Sequence, residues 1–211
     1  MLITQLIPHE KSNALPIPRH HPPPEHSMPY NPAIHNRHSI RLPWYDYSQA
    51  GAYSLTILTH KKQHLFGEVV GGVVELSPAG EIVQKEWLRI PRHFTNVVLD
   101  AFVIMPNHVH GIVVIMEGGV HTGSTTSQSH AQSESLTTPT RLGSQSGSLP
   151  AIVQNFKSIS SRKINNLLKS PGSAIWHRNY YEHIIRDEAD FERVVTYIQQ
   201  NPLKWEEAGD G

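Results

Sequence analysis

Two apolar runs, Val97–Met105 and His108–Met116, are separated only by Pro106 and Asn107. Parallel strands need a crossover of about a dozen residues or more, so a two-residue connection forces these runs to pair antiparallel. A sheet of this kind has to be covered, and the rest of the chain supplies the covering elements. Ala52–Thr59 alternates and is rich in β-formers, which predicts another strand. Glu68–Leu76, with four valines around Gly71-Gly72, reads as a short strand or hairpin. Ser77-Pro78 opens a helix expected to run to Phe94, burying Ile82, Trp87, Leu88 and Ile90, with Pro91 kinking or ending it. Leu149–Leu168 has helical character, with Ile152, Phe156, Ile159 and Ile164 along one side. Tyr181–Ile185 is a short strand. Asp187–Gln200 is a helix whose Phe191, Val194, Val195 and Ile198 fall at i, i+3, i+4 and i+7, and Pro202 is expected to end it. Antiparallel strands mixed with helices predict an α+β domain, a central antiparallel sheet with helices packed on it.

The chain has 211 residues, enough for one domain with a sizeable core. Two stretches fall outside that core by composition. Residues 1–39 carry many of the 15 histidines and 16 prolines, and the run His20-His21-Pro22-Pro23-Pro24 neither pairs its backbone nor offers much to bury. A disordered or polyproline-like segment is expected, with a His-rich metal tract as the other reading. Residues 117–148 are dominated by Ser, Thr, Gly and Gln and read as a flexible insertion within a domain spanning 40–205, with 206–211 as a tail. Lys plus Arg equals Asp plus Glu at 18 each, which argues against a non-specific DNA coat or a polybasic membrane binder. The absence of cysteine excludes disulfide scaffolds, zinc ribbons and thiol nucleophiles. No apolar run approaches the ~20 residues of a membrane helix and no signal-peptide pattern opens the chain. A cytoplasmic protein is expected.

Two groups of residues carry chemistry. His108 and His110 flank Val109 on a strand, so both imidazoles project from one face. They can ligate a divalent ion in a site left open by having only two protein nitrogens, or they can be ordinary hydrogen-bonded histidines. Tyr197 and Asn201 are four apart on the last helix and share a side. A phenol there is either a core side chain or a nucleophile. For a nucleic acid, the candidate contacts are Lys157, Arg162 and Lys163 on the middle helix, Lys61-Lys62 after the first strand, and Arg178 beside Trp176 and Tyr180. A solvated helix face explains the first cluster equally well. His183 reads as a structural histidine or as a neighbour of the metal.

The run Phe102-Val103-Ile104-Met105-Pro106-Asn107-His108-Val109-His110-Gly111 resembles the HUH motif of the HUH-endonuclease superfamily. Glu182-His183-Ile184-Ile185-Arg186 and Tyr197-Ile198-Gln199-Gln200-Asn201-Pro202 resemble the EHxIR strand and YIxxNP helix end of REP-associated tyrosine transposases and related single-tyrosine insertion-sequence transposases. Ile40–Tyr47 looks like that family's opening segment. The resemblance implies the ferredoxin-like HUH sandwich. It implies Mg²⁺ or Mn²⁺ held by His108, His110 and Asn201, and Tyr197 as the nucleophile. It further implies single-stranded or hairpin DNA as the partner, cut through a 5′-phosphotyrosine link in transposition of a short palindromic element. The protein would then associate with the nucleoid. Members occur as monomers and as dimers, so a homodimer is compatible. The Pro/His-rich head and the 117–148 insertion depart from the family pattern. The alternative it leaves is a catalytically inactive or domesticated hairpin-binding protein of the same fold.

Overall fold

The computed structural model describes residues 45–117 and 146–208. The 1–39 segment, the opening residues 40–44, most of the 117–148 insertion and the last three residues lie outside the described residues. The elements are β1 (Gly51–Leu58), a 3-10 turn (His60–Lys62), β2 (Gly67–Val70), β3 (Val73–Leu76), α1 (Pro78–Trp87), the single turn α2 (Ile90–His93), β4 (Val97–Met105), β5 (His108–Ile115), α3 (Leu149–Leu167), β6 (Tyr181–Ile185) and α4 (Glu188–Glu207). Four strands form one antiparallel sheet in the order β4-β5-β1-β6. The β4–β5 pair is the hairpin that the Pro106-Asn107 connection demands. β2 and β3 form a separate hairpin, turned by Gly71 and Gly72 at φ 58° and 73°. Two consecutive left-handed residues are what a two-residue turn needs to match strand twist, and glycine adopts them without strain.

Pairing puts alternate residues on opposite faces of the sheet, and each face has its own core. Tyr53, Leu55, Ile57, Phe102, Ile104, Val109 and Val113 pack under α1 and α3, against Val83, Trp87, Ile152 and Phe156. Ala52, Val103, Met105, Ile112, Val114 and Ile185 pack under α4, against Phe191 and Ile198, with Val74 of the hairpin at the margin. Gly111 faces the first core, where a Cβ would come within 2.7 Å of both Trp87 and Phe102.

Three expectations are corrected. The helix opened by Ser77 ends at Trp87 and α2 is separate. Its buried line is Ala79, Val83 and Trp87, continued by Ile90 of α2, while Leu88 is exposed and Ile82 only half-buried. Those four follow the 3.6-residue period, which Ile82 and Leu88 leave. On α3, Ser160 is buried in place of the half-buried Ile159. Its hydroxyl donates to the Phe156 carbonyl (2.6 Å) and accepts from Trp176 Nε1 (3.0 Å), so the polar atom is satisfied. Pro202 does not end α4, which continues to Glu207. An interior proline removes one ladder hydrogen bond and costs about 3 kcal/mol. Tertiary contacts offset it: Leu203 lies against Gly72, Trp205 packs on the second core, and the Glu206 carboxylate accepts the Gly71 N–H at 2.9 Å.

Candidate active site

His110 sits opposite Thr56 on β1 and Val103 on β4, and His108 opposite Leu58 and Met105, so both imidazoles lie on the α4 face of the sheet. Each ring is held by a neighbour. Asn107 Oδ1 lies 2.8 Å from His108 Nδ1. The amide oxygen can only accept, which puts the proton on Nδ1 and leaves Nε2 with its lone pair. The same tautomer at His110 lets Nδ1 donate to Thr56 Oγ1 at 2.8 Å, with Ser54 Oγ at 3.3 Å from Nε2. Burial lowers the pKa of both rings to about 4, and His110 adds to the effect at His108. Both are therefore neutral at pH 7, the ligating form.

This burial has a consequence for stability. A folded pKa of about 4 lies below the unfolded value of 6.5, so below pH 6.5 the unfolded chain binds protons that the folded chain refuses. Stability should be unaffected by these groups above pH 6.5, fall as the pH drops towards 4, and level off below it. The total is on the order of 3 kcal/mol per histidine. Melting temperatures in chelator should drop across that window, and His110→Ala should remove about half of the drop. A flat profile would contradict the buried neutral rings.

Asp187 caps α4, its carboxylate accepting from the Asp190 N–H at 2.8 Å, and so fixes where the helix begins. Ten residues later the Tyr197 ring stands 5.2 Å from the His110 ring, 47% exposed, with Lys204 Nζ 5.2 Å from its centroid. Trp205 stands 5.9 Å from His108. Tyr197, Asn201 and Trp205 are spaced at i, i+4 and i+8 along one helix side. The outer two are set against His110 and His108, and Asn201, between them along the helix, is buried. Among the described residues, no three His, Cys, Asp or Glu side chains group closely enough to hold an ion. A metal here would need the two Nε2 atoms, the Asn201 amide oxygen, and oxygens from substrate or water. That N,N,O set suits an open Mg²⁺ or Mn²⁺ site, and the Nδ1 hydrogen bonds supply the outer support that ligating histidines require.

A cavity of about 370 Å³ opens beside His110 and Tyr197, lined also by Ser54, His183, Arg193 and Val194. His183 is tied to Asp190, with Nε2 at 2.8 and 3.0 Å from the two carboxylate oxygens. Asp190 also accepts from Arg193 (2.5 Å) and the Arg186 N–H (3.2 Å). Burial opposes ionisation of Asp190, but the hydrogen bonds from His183 and Arg186 and the charges of His183 and Arg193 outweigh it and hold the carboxyl below its ordinary value.

The basic and aromatic candidates on α3 and in the segment before β6 are not gathered here. α3 packs on the opposite face of the sheet. Lys157 donates to the carbonyls of His177 (2.9 Å), Asn179 (3.1 Å) and Arg178 (3.4 Å), clamping that loop. Lys163 pairs with the buried Glu86 at 2.6 Å. Arg162 and Arg178 are exposed. Trp176 and Tyr180 are core residues, 7% and 6% exposed, so no base can stack on them in this arrangement. Sequence reasoning missed Ser54, Thr56, Asp190, Arg193, Lys204 and Trp205. Ser54 and Thr56 did leave a signal, two hydroxyls at i, i+2 on one face of an otherwise apolar strand.

No family model matches the chain. An uncharacterized protein of Haemophilus influenzae is 38% identical over 181 residues, covering 84% of this chain and 94% of that protein. The solved structure of a REP-associated tyrosine transposase bound to a REP hairpin superimposes with a TM-score of 0.52 at 16% identity, covering 83% of this chain and 76% of that one. A crystal structure from Deinococcus radiodurans R1, at 18% identity and TM-score 0.39, is too distant to bear on the fold. The chain belongs to one family with the Haemophilus influenzae protein, and its fold is similar to that of the REP-associated tyrosine transposase.

Proposed function

We propose that this protein is a metal-dependent single-strand DNA transposase in which Tyr197 is the nucleophile. The observation that carries the proposal is the packing of a half-exposed tyrosine against one of two neutral, oriented imidazoles, 5.2 Å between ring centroids. Mg²⁺ or Mn²⁺, held by His108, His110 and Asn201, would draw off charge developing on the phosphate oxygens. Tyr197 Oη forms a bond to the phosphorus while the bond to the 3′ oxygen breaks. The phenolic proton is lost and the departing oxygen gains one, leaving a 5′-phosphotyrosine ester and a 3′-hydroxyl. Attack by a 3′-hydroxyl on that ester reverses the chemistry and rejoins strands, so no nucleotide cofactor is consumed. The Lys204 ammonium lies over the Tyr197 ring, 5.2 Å from its centroid. The hairpin named for the structural neighbour makes hairpin-flanked single-stranded DNA the substrate to test, with the enzyme acting on DNA in the cytoplasm.

The test mixes the protein with labelled single-stranded hairpin DNA from the flanks of its own gene, in Mn²⁺ or in chelator, on a denaturing gel. A slow-migrating protein–DNA species in Mn²⁺ only is the expected result. Hairpin binding without that species would leave a binding protein of the same fold.

A further inference from the structure

The last turn of α4 exists because the helix runs through Pro202, and it carries Trp205 to the His108 end of the site. Trp205 is half-buried, its ring 5.9 Å from His108 and 5.4 Å from the exposed His64, tilted 44° and 59° to them. His64 belongs to the segment that leaves β1, and that segment is braced at both ends against the β4–β5 turn. Thr59 N–H donates to the Asn107 carbonyl (2.8 Å) and Phe66 N–H to the Pro106 carbonyl (3.0 Å). Between the braces, Lys61 and Lys62 hold φ of 54° and 55°. Two successive left-handed lysines are strained by about 1–3 kcal/mol each and persist only where surrounding bonds impose them. Both side chains are exposed, and neither makes an ion pair among the described residues. Beyond His64, Glu68 and Glu75 face each other across the β2–β3 hairpin and line the neighbouring 340 Å³ cleft. A phosphate backbone is repelled from that side and drawn to the lysine side.

From this arrangement we infer that Trp205 is a stacking platform for the nucleobase flanking the scissile phosphate on its His108 side, with His64 as a movable cover and Lys61-Lys62 tracking the adjacent backbone phosphates. The inference rests on the single-strand DNA reading of the site. A tilted imidazole at 5.4 Å is not a parallel stack, and its exposure lets it swing aside for a planar base. Stacking on an aromatic face tolerates any base, because every base has a π-face. The ligand class is therefore single-stranded nucleic acid without strict sequence preference at this position.

The experiment measures binding by fluorescence anisotropy, in chelator so that no strand is cut. The full-length protein is titrated with labelled (dT)12 and with an abasic dodecamer of equal charge. The wild type should bind (dT)12 about tenfold more tightly, as expected for one stacked base. Trp205→Ala should lose that difference, while Trp205→Phe should keep most of it. Lys61→Ala/Lys62→Ala should weaken both oligonucleotides alike and reduce the salt dependence. A structural role for the indole would weaken both ligands equally, and so would partial unfolding, so an unchanged (dT)12-to-abasic ratio in Trp205→Ala overturns the inference. No base preference in the wild type overturns it as well. The adduct assay in Mn²⁺ separates the two readings. Adduct formation with an unchanged ratio refutes the platform alone, and a lost ratio without adduct refutes the nuclease alone.

Discussion

Tyr197→Phe is expected to abolish covalent adduct formation while leaving the fold and hairpin binding essentially intact. The substitution removes one oxygen from a ring that is 47% exposed and whose hydroxyl makes no hydrogen bond among the described residues. The phenyl ring keeps its place against His110 and beneath Lys204, so the cost in stability should stay within about 0.5 kcal/mol. Among the described residues the rival tyrosine nearest the site is Tyr181, which pairs with Thr56, the hydrogen-bond partner of His110. Tyr180 is in the core, and Tyr181, although 56% exposed, lies on the edge strand β6 rather than on α4. The expected change is therefore complete loss of product, not a shift in affinity. An adduct that persisted in the variant would move the nucleophile elsewhere, with Tyr181 the first candidate to examine.

His110→Ala should lower Mn²⁺-dependent cleavage by about a hundredfold or more, the scale for removing one stabiliser of transition-state charge. Two effects act together. A nitrogen donor disappears from a set that has no spare His, Cys, Asp or Glu among the described residues, and the wall beside Tyr197 is lost. Stability changes too, because the Thr56 and Ser54 hydroxyls lose their partner and the ring leaves a void, a cost of about 1–3 kcal/mol. Domains of this size are stable by about 5–15 kcal/mol, so the variant should remain folded. Circular dichroism and metal-dependent cleavage on the same preparation check both halves. Full activity in a folded His110→Ala protein would refute the metal site.

The contrast between what the residues disclosed and what they hid has physical causes. The β4–β5 hairpin was legible because two apolar runs joined by two residues admit one arrangement, and the α4 stripe because Phe191, Val194, Val195 and Ile198 keep one period. The histidine pair followed from strand alternation alone. The hydroxyls that orient His110 lie 54 and 56 residues away in sequence, and only the β1–β5 register brings them there. Pro202 misled because its local penalty is written in the sequence, whereas the contacts of Leu203, Trp205 and Glu206 that outweigh it are not. Trp205 was hidden behind the same error. Trp176 and Tyr180 misled for the opposite reason. An aromatic beside an arginine looks like a surface for bases, and nothing local reveals that Ser160 waits in the core to accept the Trp176 N–H.

The central claim is a covalent bond between Tyr197 and DNA, and peptide mapping of the adduct tests it most directly. Trypsin cutting after Arg193 and Lys204 releases Val194–Lys204, in which Tyr197 is the sole tyrosine. After nuclease digestion of the DNA, mass spectrometry should find a phosphonucleotide on this peptide, formed in Mn²⁺ and absent in chelator. A nucleotide on the peptide carrying Tyr180 and Tyr181, or an adduct that forms equally well in chelator, would contradict the account.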